Sequence, residues 1–381
     1  MNTIVRMPSM QRYARLSGLV AVATLVSSPA LLAPMTANAA DMAMSSMSAK
    51  VYGDLSVAFV ETGASVDGGK SSYSLYDNVS LLGVKGEAGV MDGTKFIYDY
   101  NAILDIVNGG GSVTTHLGTV GLDGSFGTVT VGRDNALYLG MVDGSSYQTN
   151  WFYTAGMSSL QVSKSIKYVS SSMSGLQLGV EAFDIAKDST TGKTTNNYTL
   201  AGTYAMKAMT FGAGYTKYSD YANTAGGVVQ YAVTNDTNQF GVGNNSFAGI
   251  AVKSLAGASA AYKTDMFGVV AAIDSRKPND AATNTSALNT FMLTGNFMAS
   301  KTVNLIGNVS STKQSDKNSV DGKKGTVVTL MAGYTPVTNV TFTAEVQSSN
   351  KDANVNSITG ATGAGGTKSS TGFALGAMYA F

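Results

Sequence analysis

Apolar and polar residues alternate in short segments from about Lys50 to the end of the chain. The first segment, 51–59, has one apolar face and one smaller, more polar face that includes Asp54. Its apolar face is formed by Val51, Leu55, Val57 and Phe59. A period of two residues predicts a β-strand with one face in an apolar environment. Similar segments of about 8–12 residues recur along the rest of the chain.

The connections between these segments alternate between short turns and long polar stretches. The turns are rich in Gly, Asn, Asp and Ser, which favour reversals of the chain. The long stretches are residues 134–160, 219–246, 276–287, 312–325 and 350–370. The pattern predicts about sixteen strands, and the strand position is least defined in 219–256.

Short turns alternating with long loops are typical of an outer-membrane β-barrel. Every backbone N–H and C=O needs a partner in lipid, so strands can cross a membrane only as a closed barrel. The sequence therefore predicts an all-β fold over residues 50–381, a transmembrane antiparallel β-barrel of about 16 strands. A soluble β-sandwich or β-solenoid is the alternative, but sandwiches are usually smaller and no fixed repeat indicates a solenoid.

Residues 1–39 have the layout of a secretory signal peptide. Arginines at 6, 12 and 15 precede an apolar stretch over 16–32, and Ala37-Asn38-Ala39 is a small-x-small cleavage site. An uncleaved membrane anchor is the alternative. Cleavage after Ala39 predicts an exported protein. Residues 40–49 are small and Met-rich, and we interpret them as a flexible lead-in to the barrel.

Composition excludes several other classes of protein. The 381 residues include 25 basic and 24 acidic side chains, one histidine and no cysteine. The lack of a basic excess argues against a nucleic-acid partner, and without cysteine neither a disulfide framework nor a thiolate zinc site can form. A single histidine also leaves too few ligands for most metal sites, so we expect no metal and no cofactor. The 19 Tyr and 14 Phe fit aromatic girdles at two membrane interfaces.

Four stretches resemble Gram-negative trimeric porins. LLGVKGEAGV at 81–90 resembles their second strand, HLGTVGLDGSFGTVTVGRDN at 116–135 the hairpin before their constriction loop, and SIKYVSSSMSGLQLGVEAF at 165–183 the strand pair after it. The end of the chain resembles the terminal strand that outer-membrane proteins present to the barrel-assembly machinery. Its apolar face includes Phe373, Leu375, Tyr379 and Phe381.

This resemblance implies a sixteen-stranded homotrimer in the cell outer membrane, embedded in lipid. It also implies that the third long loop, residues 134 to about 160, folds inward to narrow the pore. Such porins set basic residues on the barrel wall opposite acidic residues on that loop. The positions that correspond to the basic residues are occupied by Asp54, Leu81, His116 and Gln161.

The departure from a basic wall predicts a weakly polarised pore, neutral to cation-preferring. Lys167 is predicted to face inward and to supply some positive charge. Asp134 and Asp143 could supply negative charge from the loop, or could instead cap turns within it. Because charges in a confined wall interact more strongly than in bulk water, even a few unpaired carboxylates would matter.

Specific positions can also be predicted for His116, Arg133 and Asp105. The single histidine, His116, could line the pore and titrate near neutral pH, or could belong to a hydrogen-bond network as a neutral group. Strict alternation points Arg133 outward, where a mid-membrane position would cost about 2–4 kcal/mol. We therefore expect Arg133 near the rim or in a subunit contact with Asp105, and an intrachain pair at the root of the third loop is the alternative.

The function predicted from these features is passive diffusion of small hydrophilic solutes and ions across an outer membrane, without enzymatic activity. A substrate-specific channel, with sugars stacking on Tyr138 or Trp151, is one alternative. A non-conducting adhesin or structural barrel is another. An outer-membrane hydrolase would need a positioned base, and a single histidine without an evident Ser or Asp partner argues against it.

Overall fold

The computed structural model describes eleven stretches of the chain, which together contain all the strands discussed below. They are residues 48–63, 69–77, 80–91, 93–107, 113–143, 161–187, 194–218, 252–278, 285–316, 324–350 and 369–381. The predicted signal peptide and most of the lead-in lie outside the described residues. The first strand begins at Ser48, so the last two residues of the predicted lead-in belong to the barrel.

The described residues form one antiparallel sheet of 17 strand segments. The segments are β1 (Ser48–Thr62), β2 (Ser72–Asp77), β3 (Leu81–Met91), β4 (Thr94–Ile103), β5 (Thr114–Gly124), β6 (Gly127–Asn135), β7 (Gln161–Ser170), β8 (Leu176–Lys187), β9 (Thr194–Met206), β10 (Met209–Lys217), β11 (Val252–Lys263), β12 (Phe267–Pro278), β13 (Thr285–Met298), β14 (Val303–Asp316), β15 (Lys324–Val337), β16 (Val340–Ser349) and β17 (Ser370–Ala380).

The sheet closes on itself as a barrel of sixteen strands. β1 pairs with β17 along one edge, and along the other edge it pairs with β2 over one half and β3 over the other half. β2 and β3 are therefore two pieces of one barrel strand, and the predicted all-β, roughly sixteen-stranded antiparallel barrel is confirmed. The seam is completed by Phe381, whose N–H donates to Gly53 O at 3.0 Å while Gly53 N–H donates to Phe381 O at 3.1 Å.

Alternation along each strand divides the barrel into two faces. Large apolar side chains on the outside are exposed, among them Val120, Leu200, Ile273, Leu330 and Leu375. Hydroxyl, amide and carboxylate side chains on the inside are mostly buried, among them Thr199, Thr329 and Gln347. This arrangement places apolar surface where lipid would contact it and polar surface around the lumen. No helix among the described residues is long and apolar enough to cross a membrane.

Two strand pairs are longer than the sequence pattern predicts. The stretches 276–287 and 312–325 are predicted as loops, but β12 continues to Pro278, β13 begins at Thr285, β14 continues to Asp316 and β15 begins at Lys324. Those predicted loop boundaries were wrong because the inward face of a barrel strand is polar. A polar strand end and a polar loop therefore have the same composition.

A short helical turn, Leu139–Asp143, follows β6. Residues 136–143, here named the post-β6 segment, begin the third long loop, and the remaining residues 144–160 lie outside the described residues. The segment contacts β9, β10 and β11. Its residues Tyr138, Met141 and Val142 lie against Gly212 and Gly214 on the inward face of β10, so this part of the chain lies against the inner wall of the barrel.

Candidate functional site

The root of the third loop contains an ion pair on the inward face. Lys167 Nζ on β7 lies 2.7 Å from Asp134 Oδ2 at the end of β6, with 16% and 8% of the two side chains exposed. Lys167 also donates to Asn135 O at 3.1 Å, and Thr130 Oγ1 donates to Asp134 Oδ2 at 3.2 Å. Both charged residues are predicted site residues. They neutralise each other instead of facing each other across the lumen.

Glu181 is an inward carboxylate on β8 that the sequence analysis did not select. Its Oε2 accepts the Leu137 N–H at 2.8 Å, and its Oε1 accepts the Ser165 hydroxyl at 3.0 Å. The side chain is fully buried. Glu181 therefore ties the start of the post-β6 segment to β7 and β8. Its inward position follows from alternation on β8, but its partner in the loop has no signal in the sequence.

The post-β6 segment packs in an apolar cluster inside the barrel. Side chains from the wall between β7 and β13 complete this cluster, which consists of Ala136, Tyr138, Val142, Val162, Phe183, Tyr218, Leu255, Ala272 and Met292. Within it, the rings of Phe183 and Tyr218 meet edge to face with centroids 6.0 Å apart. Tyr138, one of the residues predicted to stack on sugars, is almost fully buried here. Trp151 lies outside the described residues.

A hydrogen-bond network lines the wall between β1 and β7. Asn101 Nδ2 donates to the Tyr52 hydroxyl at 3.2 Å, and the Leu117 N–H donates to Asn101 Oδ1 at 3.1 Å. His116 Nδ1 lies 3.0 Å from the same Asn101 oxygen, and its Nε2 lies 3.1 Å from Gln161 Nε2. These contacts join two predicted site residues, His116 and Gln161, to Tyr52 and Asn101, which sequence reasoning missed.

The network assigns the tautomer of His116. Because Asn101 Oδ1 accepts from a backbone N–H, His116 Nδ1 acts as the donor and Nε2 accepts from the Gln161 amide. This environment matches the alternative in which His116 belongs to a hydrogen-bond network. The histidine stands at an irregularity in the pairing of β4 with β5, where Asn101 pairs with Leu117 and Ala102 with Thr115. A bulge of this kind redirects a side chain, so strict alternation does not apply at His116.

Arg133 makes contacts within its own chain. Its Nε donates to His116 O at 2.8 Å, and its Nη1 donates to Ser163 Oγ at 2.8 Å. These contacts match the intrachain alternative at the root of the third loop, while the subunit contact stays a prediction. Asp105 Oδ1 accepts the N–H of Val107 at 3.1 Å, a local turn contact.

The other predicted site residues are spread over the barrel. Asp54 faces inward on β1, directly paired with Leu81 on β3. Asp143 ends the helical turn of the post-β6 segment, and its charge role stays a prediction. The four residues of the predicted assembly signal are exposed on the outer face of the terminal strand: Phe373, Leu375, Tyr379 and Phe381.

β12 supplies a second inward ion pair that sequence reasoning missed. Arg276 Nη2 donates to Asp274 Oδ2 at 2.9 Å, and each residue is 5% exposed. The two stand two positions apart, which places them on the same face of a strand. The sequence pattern predicts a loop from residue 276 onward, so it gives no reason to place Arg276 on a strand face beside Asp274. Among the described residues, no group of three or more histidine and carboxylate side chains could hold a metal ion.

A closed antiparallel sheet with a polar inner wall and an apolar outer wall is the architecture of a barrel that spans a membrane. A family model described as Gram-negative porin matches residues 21–381. The chain belongs to the Gram-negative porin family. No curated protein matches this porin by sequence.

Solved structures with the same fold are distant in sequence from this porin. An anion-selective porin from Comamonas acidovorans has a TM-score of 0.64 at 14% identity, over 88% of this chain and 100% of that chain. OmpF of Salmonella typhi, in complex with daunomycin, has a TM-score of 0.65 at 13% identity, over 87% and 97%. A trimer form of OmpT from Vibrio cholerae has a TM-score of 0.65 at 14% identity, over 88% and 100%.

Membership of this family gives the general activity. The chain is an outer-membrane channel for passive diffusion, built as a membrane-embedded barrel. Porins are generally channels without enzymatic activity. The arrangement of charges on the inner wall of such a channel influences which solutes and ions pass through it.

Proposed function

We propose that this porin is a weakly polarised channel, neutral to modestly cation-preferring, for small hydrophilic solutes and ions. The observation that carries the proposal is the pairing of charges within the wall. Lys167 lies 2.7 Å from Asp134, and Arg276 lies 2.9 Å from Asp274. A cation and an anion held side by side largely cancel each other's field at a distance, so neither pair produces a strong field across the lumen.

Much of the remaining inner wall is polar but uncharged. Thr290 and Thr312 hydroxyls lie 3.1 Å apart, and Gln347 Nε2 donates to Thr329 Oγ1 at 2.9 Å. Such groups give a solute hydrogen-bond partners without favouring one sign of charge. Charged groups of both signs also stand on this face: Asp54 and Glu345 carry carboxylates, and the Lys85 ammonium lies 4.9 Å from the centroid of the Tyr52 ring.

The test is single-channel conductance in a planar bilayer, with the reversal potential measured under a salt gradient. We expect open channels with a reversal potential between zero and the cation side. A clear anion-side potential would overturn the proposed selectivity and leave the channel function in place. Absence of conductance from correctly folded protein would favour a plugged or structural barrel instead.

Lys167→Gln should shift the reversal potential further toward the cation side. The substitution leaves Asp134 without its partner at 2.7 Å, so its negative charge acts on the lumen. We expect the cation-to-anion permeability ratio to rise by about twofold or more. The measurement is the reversal potential under the same salt gradient.

Lys164→Gln is the matched control for this variant. Lys164 lies on the same strand and is exposed, and the substitution removes the same charge. We expect a smaller shift from it, because among the described residues no carboxylate forms an ion pair with Lys164 as Asp134 does with Lys167. Equal shifts in the two variants would mean that net charge matters and the Asp134–Lys167 pair does not.

We also propose how the porin reaches and occupies the membrane. Residues 1–39 act as a cleaved signal peptide, and the terminal strand is presented to the barrel-assembly machinery through its outward aromatic residues. The mature barrel assembles as a homotrimer. The trimer form of OmpT, a distant protein of the same fold, supports this assembly.

A further inference from the structure

A row of small residues crosses the inward face of four neighbouring strands. Gly179 on β8 pairs with Ala201 on β9, Ala201 pairs with Gly214 on β10, and Gly214 pairs with Gly257 on β11. Gly212 lies on the same face of β10, two positions from Gly214. Glycine weakens a strand interior because it has no side chain to pack, so repeated glycines at one height indicate a close approach of other atoms.

Atoms of the post-β6 segment occupy the space that side chains at these glycines would need. A Cβ at Gly179 would lie 2.7 Å from Leu137 Cδ1, and one at Gly214 would lie 2.9 Å from Val142 Cγ2 and 3.0 Å from Tyr138 Cδ2. A Cβ at Gly212 would collide with the backbone oxygen of Met141, and one at Gly257 would collide with the Tyr138 hydroxyl. The segment therefore lies directly on the barrel backbone.

Polar contacts hold the start of the same segment. The buried carboxylate of Glu181 accepts the Leu137 N–H at 2.8 Å, and the Lys167 ammonium binds both Asp134 and Asn135 O. These contacts are made by β7 and β8, next to the row of small residues. Packing and hydrogen bonding thus act on one segment from adjoining parts of the wall.

We propose that Gly179, Gly212, Gly214 and Gly257, together with Glu181, are positioning residues that set the cross-section of the channel. They form a seat that holds the post-β6 segment against β8 to β11. The segment narrows the lumen by a fixed amount from that side, and the solute path runs along the remaining wall. This inference rests on the channel function. It concerns pore size, which is measured separately from the charge preference proposed above.

Gly212→Ala tests the seat most directly. The added methyl group meets a backbone oxygen that cannot rotate away, while the contacts of Glu181 and Lys167 keep the segment inside the barrel. The segment then moves toward the pore axis, and we expect single-channel conductance to fall by about 1.5-fold or more. Reversal potential should stay near the wild-type value.

Gly295→Ala is the matched control. Gly295 stands on the outer face of β13, and a Cβ there would have no heavy atom within 4 Å. We expect wild-type conductance from this variant. Thermal unfolding shows whether a change in conductance comes from a misfolded barrel. We expect the Gly212→Ala barrel to be as heat-resistant as the Gly295→Ala barrel and to differ from it in conductance. Conductance of Gly212→Ala equal to that of the control would overturn the proposal.

A compensating pair provides a second test at another position of the seat. Gly214→Ala should lower conductance because its Cβ would lie 2.9 Å from Val142 Cγ2. Adding Val142→Ala removes the methyl groups in its path, so the double variant should recover part of the lost conductance. Additive effects of the two substitutions would show that the segment does not rest on Gly214 and would contradict the seat.

Discussion

Asp274→Ala should lower the free energy of unfolding of the barrel by about 3–5 kcal/mol, because it removes one partner of a buried ion pair. Asp274 and Arg276 are each 5% exposed, and the donor and acceptor atoms are 2.9 Å apart. The substitution leaves the Arg276 guanidinium buried without this carboxylate. The measurement is urea unfolding of the detergent-folded protein, followed by the loss of β-sheet signal.

The same variant should also move the reversal potential toward the anion side. Removal of Asp274 leaves a positive charge on the inner wall, whereas Lys167→Gln leaves a negative one. The two variants are therefore expected to shift selectivity in opposite directions. A shift of the same sign in both would mean that these pairs do not determine the charge preference of the lumen.

The double variant Asp274→Leu with Arg276→Met distinguishes the effect of an unpaired charge on stability from the effect of lost packing. Replacing both partners of a buried pair with apolar residues of similar volume is often neutral or stabilising. We expect the double variant to recover most of the stability lost in Asp274→Ala. A double variant as unstable as the single one would show that the loss comes from packing around Asp274 rather than from an unpaired charge.

The Asp274–Arg276 ion pair is a feature that the sequence pattern does not predict. Period-two alternation predicted the closed barrel and most strand positions, because lipid forces apolar residues to one face of each strand. The pattern nevertheless predicts a loop at Arg276, because the run Asp-Ser-Arg-Lys-Pro at 274–278 has no apolar position. Inside a barrel a polar run can still be a strand, and here Arg276 pairs with Leu255 and Lys277 with Ser254 on β11.

The sequence could predict which side chains of a single strand face inward, but not which side chains of different strands contact each other. Alternation and family resemblance selected Asp134 and Lys167, but not that they contact each other, because that contact depends on the register of β6 and β7. Glu181 escaped selection because its partner, the Leu137 N–H, belongs to a loop whose path has no periodicity. The bulge at His116 similarly interrupts strand alternation, so the direction of this side chain does not follow from the sequence pattern.

Ile273→Arg should destabilise the folded barrel by about 2–4 kcal/mol, the cost of an arginine on the lipid face near the bilayer midplane. Ile273 lies at the middle of β12, faces outward and is 57% exposed. Its directly paired neighbours, Ala258 and Phe291, are apolar and offer the guanidinium no hydrogen-bond partner. The measurement is the free energy of unfolding of the porin in lipid bilayers.

We expect the energetic cost of an added arginine on β12 to depend on its depth in the bilayer and on the face of the strand that carries it. The strand already carries Arg276 on its inward face, beside Asp274, and an exposed Lys277 near its loop end. Ser275→Arg is therefore the matched control, because it adds the same side chain on the outer face about 7 Å further toward that end. A smaller loss of stability is expected there, since the cost falls to about 0–1 kcal/mol near the interface. Equal losses of stability in the two variants would contradict the placement of Ile273 at the bilayer midplane. They would mean that the centre of the bilayer lies closer to Ser275 and the long loops.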